Sequence, residues 1–218
     1  MTDFRHVWLC EANYRDVEKL EGVPPRPHVM AYQAPYTSVT EGGPVRLPAR
    51  ATGMAVSCEL AVEIDCEVHE ADEKMAAGAI RGFRVLAGFR DASVIEEVIL
   101  PTARDYGVCD YYARWGDTFN CVSELLQSDN PYDAAMTVQI DGLDAVTTST
   151  ADYLHHAPAA IAALSQFLTL QPGDIISLGR AGEMLRIPAD QRLPAGARVT
   201  ADIAGVGNVE ALIEDHRP

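Results

Sequence analysis

The chain has 218 residues, 48% hydrophobic and 22% charged, which excludes wholesale disorder and allows a full core. Its formal charge of −15, with 17 scattered basic residues, opposes nucleic acid as a partner, since phosphate binding needs clustered Lys and Arg. Five cysteines (Cys10, Cys58, Cys66, Cys109, Cys121) form no C-x-x-C pair, and no leader-like or membrane-length apolar run is present, so the reading is a cytoplasmic chain with reduced thiols and no membrane partner.

In chain order, residues 5–10 read as a short strand and 16–21 as a charged helical turn. Pro24, Pro25 and Pro27 enforce an extended segment that continues as a strand from Val29 to Tyr32. Gly42-Gly43-Pro44 is a turn into a strand through Val45 and Leu47.

From Met54 to Cys66 the pattern alternates strictly. Cys58, Leu60, Val62, Ile64 and Cys66 point one way, and Ser57, Glu59, Ala61, Glu63 and Asp65 the other. One buried strand therefore carries three carboxylates on one face, turned either to water or into a site for a cation or basic ligand. The two cysteines read as core fillers.

Glu70 to Ala79 reads as a helix with its acids early, and Gly82 to Leu86 as a strand. Between Arg90 and Tyr112 lies a short helical pattern (93–100), Pro101, and Tyr106, Tyr111 and Tyr112, long enough for a functional loop or lid. Met136 to Ile140, Asp141-Gly142 and Leu143 to Thr148 predict a hairpin with a type I′ turn. Pro158 opens a helix to about Leu168, with Ile161, Leu164 and Leu168 on its buried stripe. Strands follow over 175–178, 198–203 and 209–213. Together these predict one mixed, β-rich α+β domain over 1–218, with 1–50 as an N-terminal strand and lid segment and 51–218 as the core.

The stretch Leu164-Ser165-Gln166-Phe167-Leu168-Thr169-Leu170-Gln171-Pro172-Gly173-Asp174 resembles the "L-S-x-F-x-T-L-x-P-G-D" run of the fumarylacetoacetate hydrolase family. Glu59-Leu60-Ala61-Val62 looks like that family's "E-x-E-L-A-V" metal strand, Gly82-Phe83 like its "G-Y-x-x-x-N-D", Asp117-Thr118-Phe119 like "F-D-T-F", and Ile203 to Gly207 like its "I-x-G-(I/V)-G" tail. The likeness runs from about Leu9 to Ile213, and within the family the halves of the two-domain homoprotocatechuate-pathway decarboxylase/isomerase look most similar, the metal-free half above all. It implies a β-roll with a few peripheral helices, a homodimer, and Mg²⁺ or Mn²⁺ on three carboxylates acting on 2-oxo and β-diketo acids.

The departures fall on the chemistry. Ser57 stands at the first glutamate of E-x-E, and Ala87-Gly88 at the N-D pair. Val17 replaces the lid histidine, Gln33 and Arg114 each replace a lysine, and Leu178-Gly179-Arg180-Ala181 replaces "T-G-T-P". On the resemblance, Glu59 (base or residual ligand) and Arg114 are the catalytic candidates, and Arg180, Thr150, Gln33 and Trp115 the substrate-binding ones. No cofactor is expected unless Glu59, Glu63, Asp65 and Asp91 rebuilt a site for Mg or Mn. The favoured alternative leaves Glu63 and Asp65 solvated and pairs Glu59 with an arginine. Arg114 and Arg180 either hold a substrate carboxylate or make such a salt bridge. Tyr111, Tyr112 and Trp115 wall a pocket, serve a dimer interface or fill the core.

Two functions follow. One is an enzyme isomerising, decarboxylating, cyclising or cleaving a small carboxylate-bearing 2-oxo, β-diketo or enol compound without the family's metal. The other is a catalytically silent paralogue, acting as ligand-binding module or as partner to an active paralogue.

Overall fold

The computed structural model describes residues 5–22, 24–48, 51, 53–94, 111–187 and 195–215, and among these the strands form two sheets around a shared core. The larger contains β1 (Val7–Glu11), β2 (Met30–Gln33), β3 (Val39–Glu41), β5 (Met54–Ile64), β6 (Ile80–Asp91), β7 (Asn120–Val122), β10 (Ile175–Arg180) and β11 (Leu185–Ile187). Its spatial order is β2-β1-β10-β5-β6-β7-β3, with β11 also pairing β5. The smaller contains β4 (Gly43–Leu47), β8 (Ala135–Ile140), β9 (Val146–Ser149), β12 (Arg198–Ile203) and β13 (Gly207–Asp215), in the order β4-β13-β12-β8-β9. Among the described residues the helices include α1 (Val17–Glu21), α2 (Glu73–Gly78) and α3 (Ala157–Ser165). The expected β-rich α+β architecture is what forms, and no helix among the described residues is long and apolar enough to cross a membrane.

Strand β5 sits between β10 and β6, antiparallel to both, and is buried along its whole length. Its alternation decides which way each side chain goes. Val56, Cys58, Leu60, Val62 and Ile64 enter the large core between the sheets. Ala61 enters a smaller apolar group with Leu9, Leu86, Val122 and Ile175 on the opposite face. Ser57, Glu59 and Glu63 share that second face, and all three are buried.

Some expectations need correction. The strand ends at Ile64, whose N–H donates to Asp174 O and whose carbonyl accepts from Gly173 N, each at 2.9 Å. Asp65 and Cys66 therefore lie beyond it and are exposed, and Cys66 fills no core. Glu63 is not solvated but 3% exposed. The turn at Asp141-Gly142 has a positive φ only at Gly142 (81°), with Leu143 N donating to Ile140 O at 3.0 Å, so it is not type I′. Most of the stretch between Arg90 and Tyr112, with the 93–100 pattern beyond Val94, Pro101, Tyr106 and Cys109, lies outside the described residues.

Candidate functional site

The register of β5 and β6 puts Ser57 opposite Gly88 and Glu59 opposite Leu86. On the other side Arg180 pairs with Glu59 across an irregularity in β10. That irregularity turns at Gly179 (φ 79°), where a Cβ would collide with the Cys10 carbonyl oxygen, so glycine is required there. Ser177, just before it, thereby reaches Glu59.

Glu59 is fully buried and fully occupied. Its Oε1 accepts from Arg114 Nη1 at 2.9 Å and from Ser57 Oγ at 2.7 Å, and its Oε2 from Ser177 Oγ at 2.6 Å and again from Arg114 Nη1 at 3.2 Å. Arg90 Nη1 stands 3.5 Å from Oε1 and donates to Ser57 Oγ at 2.9 Å. Arg114 Nη2 donates to Asn120 Oδ1 at 2.6 Å, and Asn120 Nδ2 to Ser38 Oγ at 3.0 Å. The Arg114 Nε is buried and donates to no described residue. Burial alone would push the Glu59 carboxyl up. Arg114, Arg90 and the two serine hydroxyls more than reverse that, and hold it below the ordinary carboxylate range.

The room for Arg114 comes from Gly88. A Cβ there would lie 2.6 Å from Glu59 Oε1, 2.7 Å from Arg114 Nη2 and 3.0 Å from Ser57 Oγ. Ser57, Gly88 and Arg114 are thus one geometric unit around Glu59.

Arg180 points away from this pair. Its Nη2 donates to Glu21 Oε1, its Nη1 to Gly182 O at 2.9 Å, and its guanidinium lies 4.8 Å from the centroid of the Tyr14 ring. Burial is the main cause that raises the Tyr14 hydroxyl well above its ordinary range, so it stays protonated; Arg180 opposes this and Glu21 reinforces it.

The four carboxylates considered for a relocated cation site are not brought together. Glu63 is four residues along β5 from Glu59, about 13 Å at about 3.3 Å per residue. It is engaged by Arg81 Nη1 at 2.7 Å and Arg84 Nη2 at 2.6 Å. Asp91 pairs in register with Met54, at the opposite end of β5 from Glu63, and accepts from Ser93. Thr150 is buried, accepting from Ala134 N at 2.8 Å and donating to Ala134 O at 3.4 Å. Gln33 lies on β2, among residues such as Arg5, His6 and Tyr36 that line a cleft of about 140 Å³. Trp115 is 42% exposed and meets Tyr112 edge-on, while Tyr111 packs against Tyr32 at a tilt of 51° with centroids 4.1 Å apart.

Sequence reasoning missed Arg90, Ser177, Asn120, Tyr14 and Glu21. Arg90 had a visible signal, because it lies two residues from Gly88 on the same strand and must share its face. Ser177 and Glu21 had none, since their positions depend on the bulge at Gly179 and on the docking of α1.

The sequence profile described as fumarylacetoacetate (FAA) hydrolase C-terminal matches residues 6–214. Among similar proteins, the 4-hydroxyphenylacetate degradation bifunctional isomerase/decarboxylase of Escherichia coli is 26% identical over 202 residues, covering 90% of this chain. The chain spans 44% of that relative's length, less than half. The mitochondrial oxaloacetate tautomerase of Arabidopsis thaliana is 23% identical over 200 residues, covering 90% of this chain and 85% of that protein. A fumarylpyruvate hydrolase from Pseudomonas aeruginosa, solved in complex with Mn²⁺ and pyruvate, superposes with a TM-score of 0.79 at 17% identity, over 98% of this chain and 91% of the other. At that identity the superposition speaks for the fold.

Proposed function

We propose, from the premise that the chain belongs to the fumarylacetoacetate hydrolase family, that it is a metal-independent member acting on a small carboxylate-bearing 2-oxo, β-diketo or enol compound. The matched relatives are named as isomerases, decarboxylases and a tautomerase, so chemistry on such compounds is the family's ordinary business. Metal independence rests on one observation: the four contacts of Glu59 are two serine hydroxyls and one guanidinium that straddles both oxygens. Magnesium and manganese take several oxygen ligands, and here one carboxylate remains, already neutralised by arginine. The space a second carboxylate would need at position 88 coincides with Arg114. The donor set does not fit the cation.

In this reading Glu59 and Arg114 are positioning residues, both sealed from solvent. Arg180 and the protonated Tyr14 hydroxyl are the groups suited to a substrate carboxylate or developing enolate oxygen. A cytoplasmic homodimer completes the proposal. The test is proton–deuterium exchange at C3 of a panel of 2-oxo acids, followed by NMR with a chelator present. Exchange that persists with chelator and is lost in Arg180→Gln supports the reading; exchange abolished by chelator contradicts it.

A second reading, a silent ligand-binding or partner subunit, is favoured by the complete burial of Glu59, which leaves no oxygen for a substrate proton. Carboxylate binding without any exchange, or a mixed complex with an active paralogue, supports it.

A further inference from the structure

Arg180 already carries a carboxylate, supplied by the same chain. Glu21, the last residue of α1, receives both the Arg180 Nη2 and the Tyr14 hydroxyl on one oxygen, Oε1. Tyr14 is fully buried, and the Arg180 and Glu21 side chains are 14% and 17% exposed. Arg90 is near enough for its charge to act on the same hydroxyl. A guanidinium and a phenol converging on one carboxylate oxygen form the donor set that binds a carboxylate ligand.

The element carrying Glu21 is weakly held. With five residues α1 cannot sustain itself as a helix, and Asp16 at its N-terminus makes no side-chain cap. The segment before it is pinned: Asn13 Nδ2 donates to His155 O at 2.9 Å and Leu178 O at 3.2 Å, and Asn13 Oδ1 accepts from His155 N at 2.8 Å. Arg15 N donates to Asp152 O at 2.9 Å, and Val17 is buried. The far end turns at Gly22 (φ 70°), and Glu21 fastens it to β10 through Arg180.

We propose that Arg180 and Tyr14 form a carboxylate-binding site which Glu21 fills from within, so that a small carboxylate enters by displacing Glu21 and releasing the C-terminal end of α1. The inference rests on the ligand being a small carboxylate. Because Glu21 is tethered, it competes at a high effective concentration and weakens every external carboxylate equally.

Titrating 2-oxobutanoate and butanoate into the full chain tests this. Glu21→Gln removes the internal charge and should bind both probes roughly ten-fold or more tightly than the unmodified protein. Glu21→Gln combined with Arg180→Gln should lose that binding. Unchanged, weaker or absent binding by the single variant overturns the proposal. Hydrogen exchange needs no substitution: at saturating 2-oxobutanoate the amides of 17–21 in the unmodified chain should exchange faster, and unchanged protection counts against the displacement. Metal independence is read from cation titrations in which Glu21 plays no part, so either idea can fail alone.

Discussion

Gly88 and Arg114 occupy each other's space: a Cβ on residue 88 would lie 2.7 Å from Arg114 Nη2. The absence of a side chain at 88 is what allows a guanidinium to reach Glu59 from the neighbouring segment. A side chain at 88 and the buried arginine in its present place are thus mutually exclusive.

Gly88→Ala should therefore destabilise the fold although alanine is a better strand residue than glycine. Overpacking of this kind costs about 1–3 kcal/mol, since Glu59 and Arg114 are both buried and would have to give up hydrogen bonds to move away. A urea midpoint equal to that of the unmodified protein would mean the unit is looser than its distances imply.

Arg114→Met leaves Glu59 with Arg90 at 3.5 Å as its remaining cation. Removing one partner of a buried ion pair costs about 3–5 kcal/mol, and the residual Arg90 contact places this variant near the lower end. Arg114→Lys should recover only part, because a single ammonium does not serve both Glu59 and Asn120. Chemical denaturation of the two variants checks the order.

Acid stability carries the mark of Glu59. Its carboxyl titrates lower in the folded chain than in the unfolded one, where the ordinary value is 4.5. The unfolded state therefore binds the proton first as pH falls. The stabilisation is complete above the unfolded value and is lost as pH drops through the folded one. Within that window Glu59 contributes a slope of about 1.4 kcal/mol per pH unit. Glu59→Gln, less stable throughout, should show a shallower acid limb by that amount, measured from denaturation midpoints over acidic pH.

Thiol labelling separates the described cysteines. Burial pushes the Cys10 thiol up to about 12, with the Glu59 and Glu11 charges adding to it, and the Cys121 thiol likewise to about 12. Cys58 is raised further by the same cause. Cys66 is exposed. Mild iodoacetamide treatment followed by peptide mapping should modify Cys66 well before Cys10, Cys58 and Cys121. Early labelling of Cys10 would show that β1 opens readily.

Much of the fold was legible because local rules and tertiary outcome agree. Strand β5 alternates without fault, Pro158 stands in the first turn of α3, and β12 and β13 show their turn at Gly205 to Gly207. Strand β6 was legible only as far as Leu86. Beyond it come Ala87, Gly88, Arg90 and Asp91, residues that read as a strand's end yet are buried, with Arg90 matched by Ser57 and Glu59 far away in sequence. The short β3, β7 and β11 were missed, since three residues carry too little periodicity. The site was legible by position and opaque by partner. Glu59 stood out on its strand, but whether Glu63 met water or arginine depended on Arg81 and Arg84 across the sheet.

The proposal that Arg114 stands in place of a cation is tested most directly by titrating Mn²⁺ into the chelator-treated protein and following bound manganese by electron paramagnetic resonance. The expected result is no saturable site in the unmodified chain, and the appearance of one when Ser57→Glu, Gly88→Asp and Arg114→Lys are introduced together. Saturable binding by the unmodified chain that disappears in Glu59→Gln would contradict the account.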